Sequence, residues 1–332
     1  MRSYHLDSGA GIEGLTIREH ADPVPGPGQV LVAVKATSLS FRELLVARGT
    51  YVLPVKPDVV PVSDGAGEVV AVGPGVTSAK VGDRVTATLF PSWQDGPFGA
   101  EHLAQRGGSL DGMLTELALV EEEAIVPIPD HLSYEEAATL PCVAVTAWNA
   151  LEGLRPGDTV VTQGSGGVSL FALQFAKARG ARVIATTSGP AKSERLAKLG
   201  ADEVIDYRAN PDWPAEVRRL TDGLGAHRVV DVAGQVEQSI KAVRLSGHVA
   251  LVGFVSETAA APIDARVLFA SGATVRAVAV GSRAQFREMN EAIAANLLRP
   301  VIDRVFPFDE APEAYRYYAS GQPFGKVVIS HT

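Results

Sequence analysis

The chain has 332 residues, which is enough for two domains and for a large core that needs neither disulfides nor metals. It is 46% hydrophobic and 20% charged with a net charge of −8, which argues against a general nucleic-acid surface, although a bound phosphate needs only one or two local cations. The single cysteine, Cys142, excludes an internal disulfide and every zinc site built from several thiolates, and it fits a reducing cytoplasm.

The N-terminal MRSYHLDSGAG has no apolar signal-peptide core, and no long uncharged apolar run follows, so a cytoplasmic chain without a membrane span is expected. Residues 1–130 read as mostly β. GQVLVAVKATSLS (28–40), GAGEVVAVGPG (65–75) and VGDRVTATL (81–89) are β-branched runs bounded by Gly and Pro, as in a barrel or sandwich. FRELLVARG (41–49) interrupts them as a short helix. PIPDHLSYEEAATLPCVAVTAWNAL (127–151) turns helical, with Ser133 and Glu136 spaced as a capping box.

From 158 the pattern becomes strand, glycine turn, helix, repeated. DTVVTQG predicts a strand. GVSLFALQFAKARG predicts a helix with Val168, Phe171, Ala172 and Phe175 on one face, ended by Gly180. ARVIATT, EVIDY, HRVVDVA, GHVALVGF and ATVRAVAVG supply further strands, and this alternation predicts a doubly wound parallel α/β sheet. The tail 306–330 reads as a helix and a strand that return to the first domain.

The turn Gly164-Ser165-Gly166-Gly167-Val168 follows a strand and opens an amphipathic helix, the context in which a glycine motif binds a dinucleotide. Gly164 permits the bend, Gly166 and Gly167 let backbone approach a pyrophosphate, and the helix N-terminus attracts it. Ser169 stands in the third glycine's place and is small enough to serve there. The acid that would bind the adenosine ribose is replaced by Thr187, with Ser188 beside it and Lys192 four residues further on. Neutral donors and a lysine favour the 2′-phosphate of NADP(H), with NAD(H) the lesser expectation. Tyr207, after the third strand, is placed for the adenosine end.

Taken together, the β-rich domain, TLPCVAVTAWNAL, VTQGSGGVS, KLGADEVIDYR, VVDVAG and FGKVVI resemble the medium-chain dehydrogenase/reductase superfamily across essentially the whole chain. GAGEVVAVGPGVTSAKVGDRV (65–85) carries the resemblance most specifically. It looks closest to the zinc-lacking quinone oxidoreductase-like branch, which includes zeta-crystallin and enoyl reductases. The resemblance implies a GroES-like β-barrel catalytic domain from residues 1–130 and 283–332, and a Rossmann nucleotide-binding domain from 131–282.

Zinc-dependent relatives carry a cysteine where this chain has Ser40 and a Gly-His-Glu near Asp64, and the segment 90–112 lacks a four-cysteine lobe, so both zinc sites are expected to be lost. His102 and His131 are then surface or core histidines. The family's Asn-aromatic-x-Asp stretch is Ser40-Phe41-Arg42-Glu43 here, and Tyr51 matches a substrate-pocket tyrosine; Ser40, Glu43 and Tyr51 are the catalytic candidates. Tyr51 either donates a proton or packs at the domain seam. Leu45 replaces a second family tyrosine, and Trp93 is a candidate pocket wall.

The resemblance places Thr146 near the nicotinamide. Phe254, Gly281 and Ser282 follow the ends of strands and are further cofactor candidates. Arg283 is either a phosphate contact or a solvated helix-start arginine. Lys326 is either a cofactor contact or a water-facing edge lysine. Cys142 has no adjacent base in sequence and reads as a small buried residue. The implied function is hydride transfer from NADPH to a quinone, enone or enoyl acceptor without zinc. The alternatives are a nucleotide-binding structural protein with little turnover and a zinc-free alcohol dehydrogenase-type enzyme. The partners expected are a small-molecule substrate and, through ATVRAVAVG as an edge strand, a second copy in a homodimer.

Overall fold

The computed structural model describes residues 1–255 and 262–331. The chain forms two compact units, Met1–Val145 with Gly281–Thr332, and Thr146–Val280. The first boundary lies later in the chain than residue 130.

The first unit is built on a seven-stranded sheet. Its path runs Ile302–Pro307, Lys326–Ser330, Gln29–Leu39, Asp64–Val72, Arg84–Ala87, Ile125–Pro127, with Leu117–Glu121 paired to Gln29–Leu39. Val30, Val32 and Val34 alternate inward and pack with Val69, Val85 and Val120, the period-two burial that β-branched runs favour. Two register shifts bend the long strand against its neighbour. At the second, Gly67 lies so close to the Ala33 carbonyl that a Cβ would fall 2.2 Å from its oxygen, so only glycine fits. The C-terminal strand does return to this unit: Val327–Ser330 pair with Ala36–Leu39.

The segment 90–102 forms a small aromatic cluster of Phe90, Trp93, Phe98 and His102, with Trp93 and Phe98 centroids 4.8 Å apart and edge-on. Trp93, the expected pocket wall, is only 4% exposed. Its indole is consumed by this packing and by a hydrogen bond to the Gly96 carbonyl, which puts it inside the cluster instead. The Trp93 and Gln94 carbonyls accept the Arg283 and Ala284 N–H groups at the start of the helix Arg283–Ala295. Arg283 Nε donates to the Ile125 carbonyl, which removes it from the role of a fully solvated arginine.

The expected capping box is present: Ser133 Oγ accepts from Glu136 N and the Glu136 carboxylate from Ser133 N, at 3.2 and 2.9 Å. The helix that follows is not continuous. Pro141 brings no N–H, and Leu140–Ala144 adopts a π turn that carries Cys142 before Val145–Ala150 resumes as α.

The second unit is a six-stranded parallel sheet in the order Glu203–Asp206, Arg182–Thr187, Thr159–Gln163, Ala226–Asp231, Val243–Leu251, Thr274–Ala277. The order reverses between Thr159–Gln163 and Ala226–Asp231, the switch point at which such sheets open a crevice. The helix Gly167–Ala178 buries Phe171, Ala172 and Phe175 and leaves Val168 half-buried. Thr274–Ala277 is an edge strand, shorter than ATVRAVAVG because Val280 turns to φ +53°. Among the described residues, no helix is long and apolar enough to cross a membrane.

His331 packs on Phe308 at 4.6 Å and its Nε2 meets Thr37 Oγ1 at 3.2 Å. Burial pushes its imidazole down from 6.5 to about 3. Between those values the unfolded chain binds a proton that the native state refuses. Stability should therefore fall as pH drops from 6.5, with a slope from this group approaching about 1.4 kcal/mol per pH unit. Denaturant unfolding of His331→Gln between pH 7 and pH 4 should show a flatter profile than the parent chain; an equal slope rules the assignment out.

Candidate active site

The first unit holds a chain of buried polar groups drawn from four separate stretches. Ser40 sits at the N-cap of the helix Phe41–Arg48, yet its hydroxyl makes no cap bond. It donates instead to Asp64 Oδ2 at 3.2 Å and accepts from Lys326 Nζ at 3.0 Å. Lys326 also donates to the Leu39 carbonyl at 2.6 Å and stands 3.5 Å from Asp64 Oδ2. Asp64 further accepts from Ser38 and Ser63. Lys326 and Asp64 are 2% and 0% exposed. The water-facing reading of Lys326 is thereby corrected: its strand lies between two others, and the aliphatic stem carries the ammonium inward to the pair.

Burial raises the Asp64 carboxyl above its usual range, against the opposing pull of Lys326. The same burial, with Asp64 adding to it, pushes the Cys142 thiol up to about 12. The thiol is held protonated, consistent with its reading as inert. The turn that delivers Ser63 and Asp64 is strained: Val62, β-branched and fully buried, has φ +69°.

A second ion pair continues the chain. Glu43 Oε1 accepts from Arg42 Nη1 at 2.7 Å and from the Ser63 backbone N–H at 3.3 Å. Arg42 Nη2 donates to Gln105 Oε1 at 2.7 Å and to the Gly107 carbonyl at 3.2 Å. Its Nε donates to Tyr51 Oη at 3.3 Å, with the guanidinium carbon 4.8 Å from the ring centroid. Burial lowers the Arg42 pKa, but Glu43 and Tyr51 outweigh it, so the guanidinium stays charged. Of the three catalytic candidates, Tyr51 is half-buried, whereas Ser40 and Glu43 are 2% and 1% exposed. Sequence reasoning missed Arg42 and Tyr318. Tyr318, half-buried, packs against the core cluster that holds Leu39 and Leu44, neighbours in sequence of Ser40 and Glu43, and burial pushes its phenol upward.

In the second unit, Gly164 takes φ +75° and its N–H donates to the Thr186 carbonyl. Gly166 is the N-cap of the helix Gly167–Ala178, with no cap from a side chain and open space where a Cβ would point. Its first-turn N–H groups are thus available to an anion. Ser165 is buried. Ser169 does more than fit: its hydroxyl donates to the Gln163 carbonyl at 2.6 Å and ties the helix to the strand. A cavity of about 250 Å³ is lined by Gln163, Gly164, Thr186, Tyr207, Trp213 and Val232, at the C-terminal ends of the central strands. Thr187 is buried at its strand's end, while Ser188 and Lys192 are half-buried beyond it. Thr146 is buried, and Phe254 is exposed past the strand Val243–Leu251.

Gly281 and Ser282 fall in the first unit. A Cβ on Gly281 would strike Val145, and Ser282 Oγ accepts from Gln285 N as a helix cap. His102 and His131 are explained locally: His102 Nδ1 accepts from Gly99 N, and His131 Nε2 donates to the Leu298 carbonyl.

Removing one member of a buried pair leaves an uncompensated charge. Lys326→Met should lower stability by about 3–5 kcal/mol, and adding Asp64→Asn should recover most of the loss. Urea unfolding of the single and double variants measures this; equal losses in both would mean that the pair is not coupled.

Residues 26–130 match the alcohol dehydrogenase GroES-like domain and residues 167–295 the zinc-binding dehydrogenase domain. The zinc-type alcohol dehydrogenase-like protein C1773.06c of Schizosaccharomyces pombe is 40% identical over 97% of both chains. The crystal structure of an NAD-dependent alcohol dehydrogenase superposes with a TM-score of 0.90 at 33% identity over 100% of both chains. The quinone oxidoreductase of Pseudomonas syringae pv. Tomato DC3000 superposes with a TM-score of 0.82 at 27% identity over 99% of both. With the GroES-like sheet, the parallel nucleotide-type sheet and its glycine turn in place, the chain belongs to the medium-chain dehydrogenase/reductase family of oxidoreductases.

Proposed function

We propose that this chain is an NADPH-dependent reductase of conjugated carbonyl compounds, quinones, enones or enoyl acceptors, that works without zinc. The observation that carries the reading is the buried Lys326–Ser40–Asp64 arrangement. The ammonium has Leu39, Ser40 and Asp64 as partners, so a cation already neutralises the buried carboxylate. The remaining groups are serine hydroxyls and a protonated thiol, which do not fit the zinc ion expected of a zinc-type relative.

Without a Lewis acid, negative charge arriving at a carbonyl must be spread by the substrate itself. Conjugation does this, and a simple ketone has no such outlet. In an enone, hydride adds to the β-carbon, the C=C electron pair becomes an enolate, and a proton completes the two-electron reduction. Tyr51 suits the oxygen end. Because Arg42 donates to Oη, the phenol's own hydrogen is free to bond the substrate oxygen. Arg42 is held in place by Glu43, Gln105 and Gly107, which makes Arg42 and Glu43 positioning residues.

A bound nicotinamide cofactor supplies the hydride. Gly164, Gly166, Gly167 and the helix start suit its pyrophosphate, and Tyr207 and Trp213 line the neighbouring crevice. Thr187 and Ser188 offer hydroxyls and Lys192 a cation for a 2′-phosphate, while the neighbouring Asp206 carboxylate is engaged by the Gly189 and Arg208 N–H groups. Thr146 and Phe254 are the residues of the second unit proposed for the nicotinamide end, and Lys326, held by Leu39, Ser40 and Asp64, is a positioning residue. The edge strand Thr274–Ala277 suits pairing with a second copy in a cytoplasmic homodimer. Relatives named alcohol dehydrogenase favour a second reading, oxidation of simple alcohols; the occupied cation position weighs against it.

The purified chain should oxidise NADPH with enones or quinones and be indifferent to chelators. Turnover confined to simple alcohols with added zinc would overturn the reading, and cofactor binding without turnover on any acceptor would favour a structural role. Tyr51→Phe should lower kcat about 10²-fold with a small change in KM. Ser188→Asp should weaken NADPH at least about tenfold relative to NADH, by repulsion at the 2′-phosphate; unchanged Kd values for both cofactors would remove the phosphate from this corner.

A further inference from the structure

The second unit has another concave site, at the far end of its sheet from the glycine turn. A cavity of about 320 Å³ is lined by Arg155, Asp158, His227, Arg228, Arg244 and His248 among others. Asp158 and His227 lie at the starts of the strands Thr159–Gln163 and Ala226–Asp231, whose other ends carry Gly164 and Val232. In a chain of net charge −8, this end of the sheet is basic, and Asp158 is the one acid among the lining residues.

The hydrogen bonding here is incomplete in a specific way. His227 Nδ1 accepts the Thr159 N–H at 2.9 Å, so the ring hydrogen sits on Nε2. Arg244 Nη1, which can only donate, faces that Nε2 at 2.7 Å. Two donors are thus turned toward each other, and an acceptor oxygen set against both would satisfy them. Asp158 answers little of this: Oδ2 accepts from Arg155 N at 2.9 Å, and Oδ1 lies 3.4 Å from His227 Nε2. The exposed Arg155 guanidinium has no ion-pair partner among the described residues. Arg228, 8% exposed, is fixed by the Ala150 and Glu152 carbonyls, and it adds charge from behind. Burial, Arg228 and Arg276 together lower the His248 pKa, as a positive potential should.

We infer that Arg155, His227, Arg244 and His248 form an oxyanion site for a phosphate group, separate from the dinucleotide turn. The volume exceeds that of phosphate alone, and Leu154 and Leu245 add an apolar wall, which suits a small phosphorylated molecule. The inference does not depend on the substrate or cofactor proposed above.

The test is histidine-resolved NMR of the full chain, which has seven histidines, titrated with inorganic phosphate and in parallel with glycerol phosphate. The His227 and His248 signals should shift saturably while the other five stay put. Arg155→Ala with Arg244→Ala, both exposed positions, should weaken that response at least tenfold. Tighter binding of the ester assigns the site to a phosphorylated metabolite, and equal or tighter binding of phosphate assigns it to the free ion. No saturable shift at millimolar ligand, or the same response in the double variant, overturns the site.

Discussion

The ion pair of Lys326 with Asp64 organises the first unit. It joins the C-terminal strand, the end of the long strand at Leu39 and Ser40, and the start of the strand Asp64–Val72. Burying two such charges is costly, and the cost is offset only because each finds several partners. Around Asp64 these are hydroxyls from Ser38, Ser40 and Ser63. Ser63 links onward to Glu43 through its backbone N–H, and Glu43 to Arg42, so two positive and two negative groups share one network. Packing and chemistry are therefore coupled. What holds the C-terminal strand in the sheet also fixes the groups behind Tyr51.

Local features were legible in the sequence because local spacing determines them. The Ser133–Glu136 cap, the glycine stop at Gly180, and the strand–turn–helix around Gly164 are all read within a few residues. The network was only half legible. The family pattern pointed to Ser40, Glu43 and Tyr51, yet nothing near residue 326 in sequence shows that its ammonium meets residue 64. Such a contact depends on which strands pair, and Lys326 on an isolated strand reads equally well as a water-facing lysine. Arg42 was overlooked because a helix arginine next to a glutamate looks like a solvated pair. Ser40 misleads in the other direction: it has the residue type and position of a helix cap, and its hydroxyl is diverted.

The parallel sheet of the second unit has two chemically unlike ends. One carries flexible glycine backbone and the open N-terminus of a helix, and it attracts an anion through N–H groups. The other carries arginines and histidines, and it attracts one through side chains. Because all strands run the same way, the two ends cannot exchange properties, and a single sheet can present both.

The aromatic cluster of Phe90, Trp93, Phe98 and His102 contains no thiolate and calls for no metal. Ring stacking and carbonyl contacts to the helix Arg283–Ala295 hold this lobe together. Its cohesion is thus independent of metal supply and insensitive to peroxide attack on sulfur. A lobe built this way keeps its cohesion when metal is scarce and when thiols are oxidised.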